Sequence, residues 1–164
     1  MSEANQYQVG GSHYHAEYQH WDWAEDICLG YLEGVATKYL LPNRRAQKGG
    51  LEDLKKSLHY IQKLIELQAK GRANRRYAFQ LLGGPARMEA IREDNLNTEK
   101  MCDQANCPDI ERNIIYCIMN WIYLADLESI EQQIESLIEI NEGNPAIDPE
   151  EYDPTGYKEL SDED

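Results

Sequence analysis

The chain has 164 residues, with 30 acidic against 16 basic side chains, a net charge of -14 and 41% hydrophobic content. That length suits one domain with a modest core, and the negative total argues against duplex DNA as a partner, because a phosphate backbone is repelled at long range. No apolar run approaches the length of a membrane span, and the opening MSEANQYQVGGSHYH lacks the basic start and apolar centre of a secretion signal, so the chain is expected in the cytoplasm with its four cysteines reduced.

Residues 1 to 19 are polar and glycine-containing, and the stretch GGSHYH, with His13 and Tyr14, reads as a turn or a ligand-facing loop. From about Trp21 to Leu41, Ala24, Cys28, Tyr31, Val35 and Tyr39 recur at helical steps, which predicts one helix ended by Pro42. Trp21 and Trp23 flank Asp22 at its start; they staple the preceding loop to the core, or one of them stacks on a base while Asp22 accepts from a sugar hydroxyl. A second helix is expected from Leu51 to about Lys70, with Leu51, Leu54, Leu58, Ile61 and Ile65 in one stripe and Gly71 closing it. Shorter helices are expected over Asn74–Leu82 and Ala86–Met101. Pro108 then opens a helix through IIYCIMNWIYLADL, apolar on most sides, and a last helix covers Leu127–Asn141 up to Gly143.

No segment reads as a strand. The predicted fold is all-α, a compact bundle of four to six amphipathic helices. Residues 1–143 form a single domain in this reading, and 144–164 an acidic, flexible tail with three prolines and eight acids. Cys28 and Cys117 fall within apolar helical patterns and read as small core residues, whereas Cys102 and Cys107 lack the second pair or nearby histidine that a structural zinc site requires. His13, His15 and His20 have no regular carboxylate partner for a metal, and His59 reads as a partly buried helix residue.

The charge is steeply uneven. Lys38 to Arg76 holds eleven basic against three acidic residues, whereas Asp126 to Asp164 holds fourteen acids and one base. Within KYLLPNRRAQKGGLEDLKK, the residues Lys38, Arg44, Arg45, Lys48, Lys55 and Lys56 surround the pair Gly49–Gly50, which precedes a helix. Glycines permit close backbone approach, a helix start presents free amide groups to an anion, and arginine forks suit phosphate oxygens. The segment therefore reads as a phosphate cradle, although a plain helix connector with solvated bases fits the composition too. Glu52 and Asp53 complement the dipole of the following helix, or hold a magnesium ion between protein and nucleotide.

The order HY, GxxxKY, a basic loop, then EDLKK and a tyrosine resembles a family of small tailed-phage proteins with the pattern HY, D, GNxxKYxxR, K, EDLKKAxxYL. The matching residues are His13, Tyr14, Asp22, Gly34, Lys38, Tyr39, Lys48, Glu52 to Lys56 and Tyr60, within residues 10 to 65. Val35 stands where the pattern has asparagine, and Arg44 and Arg45 follow an extra proline. The family is similar to an early phage protein described as a nucleoside-monophosphate kinase without the usual phosphate loop. The resemblance implies a nucleotide-binding phage protein in the cytoplasm of an infected bacterium, using ATP if it is a kinase.

A GxxxxGK[ST] loop is absent, so any phosphoryl transfer uses another scaffold. The residues expected to bind nucleotide or phosphate are His13, Tyr14, Asp22, Lys38, Arg44, Arg45, Lys48, Gly49, Gly50 and Lys55, in a homo-oligomer. Two further readings stay open: a non-catalytic oligomeric sponge that sequesters a nucleotide signal of host anti-phage defence, and an acidic DNA mimic.

Overall fold

The computed structural model describes residues 18–42, 50–71 and 84–143, and all regular structure among them is helical. Six helices follow in order: α1 His20–Asp26, α2 Tyr31–Leu40, α3 Gly50–Ala69, α4 Gly84–Gln104, α5 Asp109–Asn120 and α6 Leu124–Gly143. The expected Asn74–Leu82 helix, the His13 loop and the C-terminal tail lie outside the described residues.

The single helix expected over Trp21–Leu41 is two. Cys28 adopts φ 53, with Cys28 N–H donating to the Glu25 carbonyl and Leu29 N–H to the Ala24 carbonyl at 2.8 Å. This is a Schellman turn: a left-handed residue ends α1, and Ala24 and Leu29 on either side of it both pack against the core. The break rephases the buried face. Trp23 on α1 and Ile27 just past its end are buried, as are Glu33, Ala36, Thr37 and Leu40 on α2, while Cys28 and Tyr31, assigned to the core from periodicity, are exposed. Leu41 then turns extended ahead of Pro42, as the residue before a proline must to avoid the ring.

The α3 helix matches its expectation. Leu54, Ile61 and Leu64 are buried, Leu51, Leu58 and Ile65 pack beside them, and Gly71 at φ 64 takes the left-handed position after the end. Burying each of those three side chains contributes about 1.5–3 kcal/mol. One flank of α3 packs on α2 and another on α6, which makes it the central element of this half.

The apolar run after Pro108 also divides. Pro108 is the residue before α5 rather than within it, and the helix stops at Asn120, where Trp121 turns extended. Asp126 then accepts from the Ile122 and Tyr123 amides, both at 2.8 Å, and so satisfies donors at the start of α6. A second Schellman turn ends α4: Asn106 has φ 50, Asn106 N–H bonds the Asp103 carbonyl and Cys107 N–H the Cys102 carbonyl at 2.9 Å. Cys102 and Cys107 occupy the two contact positions of this turn, which explains why both are buried.

One core joins all these elements, from Trp23 on α1 to Ile138 on α6. No helix among the described residues is long and apolar enough to cross a membrane.

Candidate functional site

The junction of α1, α2 and α3 is built by hydrogen bonds between buried groups. On α1, Asp22 accepts from the Gln19 amide at 2.9 Å and forms the reciprocal half of a capping box, which gives it a structural duty at the helix start. The neighbouring Trp23 is fully buried and donates its indole N–H to Thr98 Oγ1 on α4 at 2.9 Å. Trp21 instead stays half exposed. The loop that the two tryptophans were expected to staple lies outside the described residues.

His20 reaches α2, where its Nε2 lies 2.9 Å from Thr37 Oγ1. The Thr37 hydroxyl donates back to the Glu33 carbonyl at 2.9 Å, so His20 Nε2 carries the hydrogen in this bond. Desolvation of the imidazole, followed by the positive charge of Lys38, pushes its pKa down to about 3. His20 is therefore neutral near neutral pH and serves as a donor to Thr37.

On the opposite edge of α2, Glu33 is buried and its Oε1 accepts from the Trp121 indole at 3.1 Å. Its carboxylate folds back over Gly30, the residue preceding α2, where a side-chain carbon would collide with it. An alanine there would push that carboxylate away from its bond with Trp121. Gly34, four residues on, is different: no described atom stands within 4 Å of the position its Cβ would take.

The α2–α3 contact carries the aromatic and basic groups. Ser57 Oγ donates to the Ala36 carbonyl at 2.9 Å and locks the two helices together inside the core. Above that bond, the Tyr39 and Tyr60 rings stack with centroids 6.1 Å apart and planes 17° from parallel. Lys56 Nζ sits 5.3 Å from the Tyr39 centroid and 2.9 Å from Asp53 Oδ1, and this carboxylate contact holds the Lys56 pKa above its ordinary value. His59 meets the edge of Tyr60 and is exposed, contrary to the partly buried position expected of it.

The expected phosphate ligands distribute as follows. Lys38 lies in the last turn of α2 and Gly50 opens α3, so both border the 43–49 connection. Lys55 points to α6, where its Nζ pairs with Glu142 at 3.0 Å. Glu52 is exposed whereas Asp53 is almost wholly buried in its pair with Lys56, the separation expected of consecutive helical positions about 100° apart. A magnesium ion held with nucleotide phosphates would have Glu52 as its accessible ligand here; no cluster of three or more His, Cys, Asp or Glu suited to a metal occurs among the described residues. His13, Tyr14, Arg44, Arg45, Lys48 and Gly49 lie outside the described residues.

Sequence reasoning missed Glu33, Thr37, Ser57 and Thr98, the polar groups that fix this junction. Their only signal was polarity on a buried helical face; for Glu33 and Thr37 it was masked because the face of that helix was assigned one residue step out of phase, and for Ser57 and Thr98 because a single polar residue beside an apolar stripe does not announce a distant partner. Comparison with protein-family models, with curated proteins and with solved structures finds no match.

Proposed function

We propose that the chain binds a small phosphorylated nucleotide at the α2–α3 junction, with the connection 43–49 supplying the basic groups. One observation carries this reading: the stacked Tyr39–Tyr60 pair with Lys56 over it lies between the two helices that the Arg44, Arg45 and Lys48 segment joins. Aromatic rings give a base a stacking surface, and ammonium and guanidinium groups give phosphates charge-assisted partners. Gly34 adds an open patch on α2, one turn from Lys38, where a ligand can approach the backbone.

Phosphoryl transfer to a nucleoside monophosphate is the sharper form of this proposal, and it rests on the family resemblance. Sequestration without chemistry is the second form, and a specific observation favours it. The ionisable side chains held in the junction already have structural duties: buried Asp53 with Lys56, buried Glu33 with Trp121, and half-buried His20 as a neutral donor to Thr37. Phosphoryl transfer needs mainly positioning and charge neutralisation, so basic residues and a metal ion would have to supply it.

Incubation with ATP, magnesium and each deoxynucleoside monophosphate separates the two forms, because a sponge returns its ligand unchanged. Calorimetric titration of the variant with Arg44, Arg45 and Lys48 all changed to alanine tests the site itself. Each lost charge-assisted bond costs roughly 1.5–3 kcal/mol, so binding weakens beyond detection. Unchanged affinity with intact helicity removes the site.

A further inference from the structure

The outer face shared by α5 and α6 departs from the rest of this acidic protein. Two open grooves of about 430 and 370 Å³ lie along it and share Ser129 and Gln133, so they form one continuous furrow. Its polar lining is uncharged: Asn113 and Asn120 on α5, and Ser129, Gln132, Gln133 and Ser136 on α6. The single charged residue along it, Asp126, is occupied by the two backbone amides that it caps.

That neutrality is not a shortage of acids on α6. The helix carries Glu128, Glu131, Glu135, Glu139 and Glu142, none of which lines the furrow. Glu131 and Glu142 lean the other way, to Gln62 and Lys55 on α3. The α6 surface thus has three sectors: an aliphatic one in the core, an acidic one beside α3, and an uncharged one over the furrow. Four of the eight large hydrophobic side chains exposed among the described residues also border it: Ile110, Ile122, Tyr123 and Ile140. Depletion of charge combined with exposed isoleucine and tyrosine is the composition of a protein interface.

We propose that this face joins two copies of the chain, α6 packing against α6 about a two-fold axis near Gln133. The occupant follows from charge. At -14 per copy, two chains repel over most of their surface, and an uncharged face is where they approach without that cost. A basic protein would dock on the glutamate sector instead, and a nucleic acid finds no positive group in the furrow. The lining is also self-complementary, since an amide or hydroxyl both donates and accepts and so pairs with its own copy across a two-fold axis, which a charged group does not. Size bears on it too: a 20-residue α6 is roughly 30 Å long and a 12-residue α5 roughly 18 Å, so at about 10 Å of width each they give a flat footprint on the order of 500 Å², which side-chain relief brings toward the about 800 Å² per partner of a stable dimer.

Sedimentation equilibrium of the full chain tests this independently of any ligand. The wild type has twice the 19.0 kDa mass of one chain. Ser129 and Ser136 are both exposed, so Ser129→Glu with Ser136→Glu keeps the fold, as far-UV circular dichroism will verify, and places like charges across the axis. The dimer dissociation constant then rises about 100-fold or more. Mixing that variant with the chain carrying Ser129→Lys and Ser136→Lys restores a dimer, a readout that loss of folding cannot mimic. A wild type that stays at one copy overturns the proposal and leaves the furrow to a different chain. A dimer indifferent to both charge pairs overturns it as well, by placing the contact elsewhere.

Discussion

The α1–α2 side of the molecule and the α3–α6 side are held by different physics. On the first, each helix is tied to a neighbour by a directional bond, buried for Trp23 to Thr98, Trp121 to Glu33 and Ser57 to the Ala36 carbonyl and part-buried for His20 to Thr37. On the second, Leu54, Ile61 and Leu64 of α3 and Ile130, Ile134 and Leu137 of α6 supply aliphatic faces, and the side-chain hydrogen bonds and ion pairs between the two helices, Gln62–Glu131 and Lys55–Glu142, sit at the exposed rim. Aliphatic faces tolerate repacking, whereas a buried polar bond admits one geometry and penalises every other. The candidate site lies on the side where geometry is fixed.

Truncating the largest member of the polar side should have the greatest effect. Trp23→Ala removes a wholly buried indole and leaves the Thr98 hydroxyl without its donor, for a loss of about 3–5 kcal/mol in urea unfolding. Trp23→Phe keeps most of the volume and loses about 1–3 kcal/mol, because only the bond and a partial cavity are at stake. A Trp23→Phe variant as stable as the wild type would mean that the hydrogen bond contributes nothing and that the contrast between the two sides is one of packing alone.

His20 gives the polar side a pH dependence that the aliphatic side lacks. Its folded pKa of about 3 lies below the ordinary 6.5, so the unfolded chain binds the proton more readily. The contribution is fully present above about pH 6.5 and is lost as the pH falls from there toward 3. Stability should therefore drop by up to about 1.4 kcal/mol per pH unit below pH 6, and His20→Gln should flatten that slope. Asp126 and Glu66, whose pKa values are held below the carboxylate norm, act with the same sign but only below about pH 4.5, so the interval from 6 to 4.5 isolates the histidine. Parallel slopes for the two proteins would place the imidazole in contact with water.

The Glu33 bond should show coupling. Trp121→Phe leaves a buried carboxylate short of a donor and costs about 1.5–3 kcal/mol. Gly30→Ala displaces the same carboxylate from the other side, so once Trp121 is phenylalanine the second change should cost less than it does alone, by at least about 0.5 kcal/mol. Additive losses would show that the two residues act on Glu33 separately.

What was legible in the sequence follows the same division. The α3 stripe, its Gly71 stop, the stop before Pro42 and the all-helical class come from periodicity and helix-end chemistry, which act locally. The breaks at Cys28 and Trp121 were not legible. A left-handed cysteine carries no local signature as a glycine does, and an apolar run across Asn120–Tyr123 looks continuous until Trp121 is seen to turn inward to Glu33, 88 residues away. Buried polar partners are long-range choices, and periodicity sees only one helix at a time. Of the candidate site, the aromatic and basic residues of α2 and α3 were read from the chain, but their division among partners, Lys55 to Glu142 and Lys56 to Asp53 and Tyr39, depends on packing.

Gly34 offers the smallest stability change and the sharpest reading of the site. It lies in the interior of α2, where glycine is about 1 kcal/mol less favourable than alanine, and no described neighbour needs the space. At Gly30, by contrast, a Cβ would displace the Glu33 carboxylate. Gly34→Ala should therefore raise stability by about 0.5–1 kcal/mol, read as a higher urea midpoint at unchanged slope. If the open patch admits a ligand to the α2 backbone beside Lys38, the same substitution weakens nucleotide binding while it strengthens the fold, an opposition that damage to the helix does not produce. A variant that is both stabler and equally avid would remove Gly34 from the binding surface and confine the proposal to the 43–49 connection and the Tyr39–Tyr60 stack.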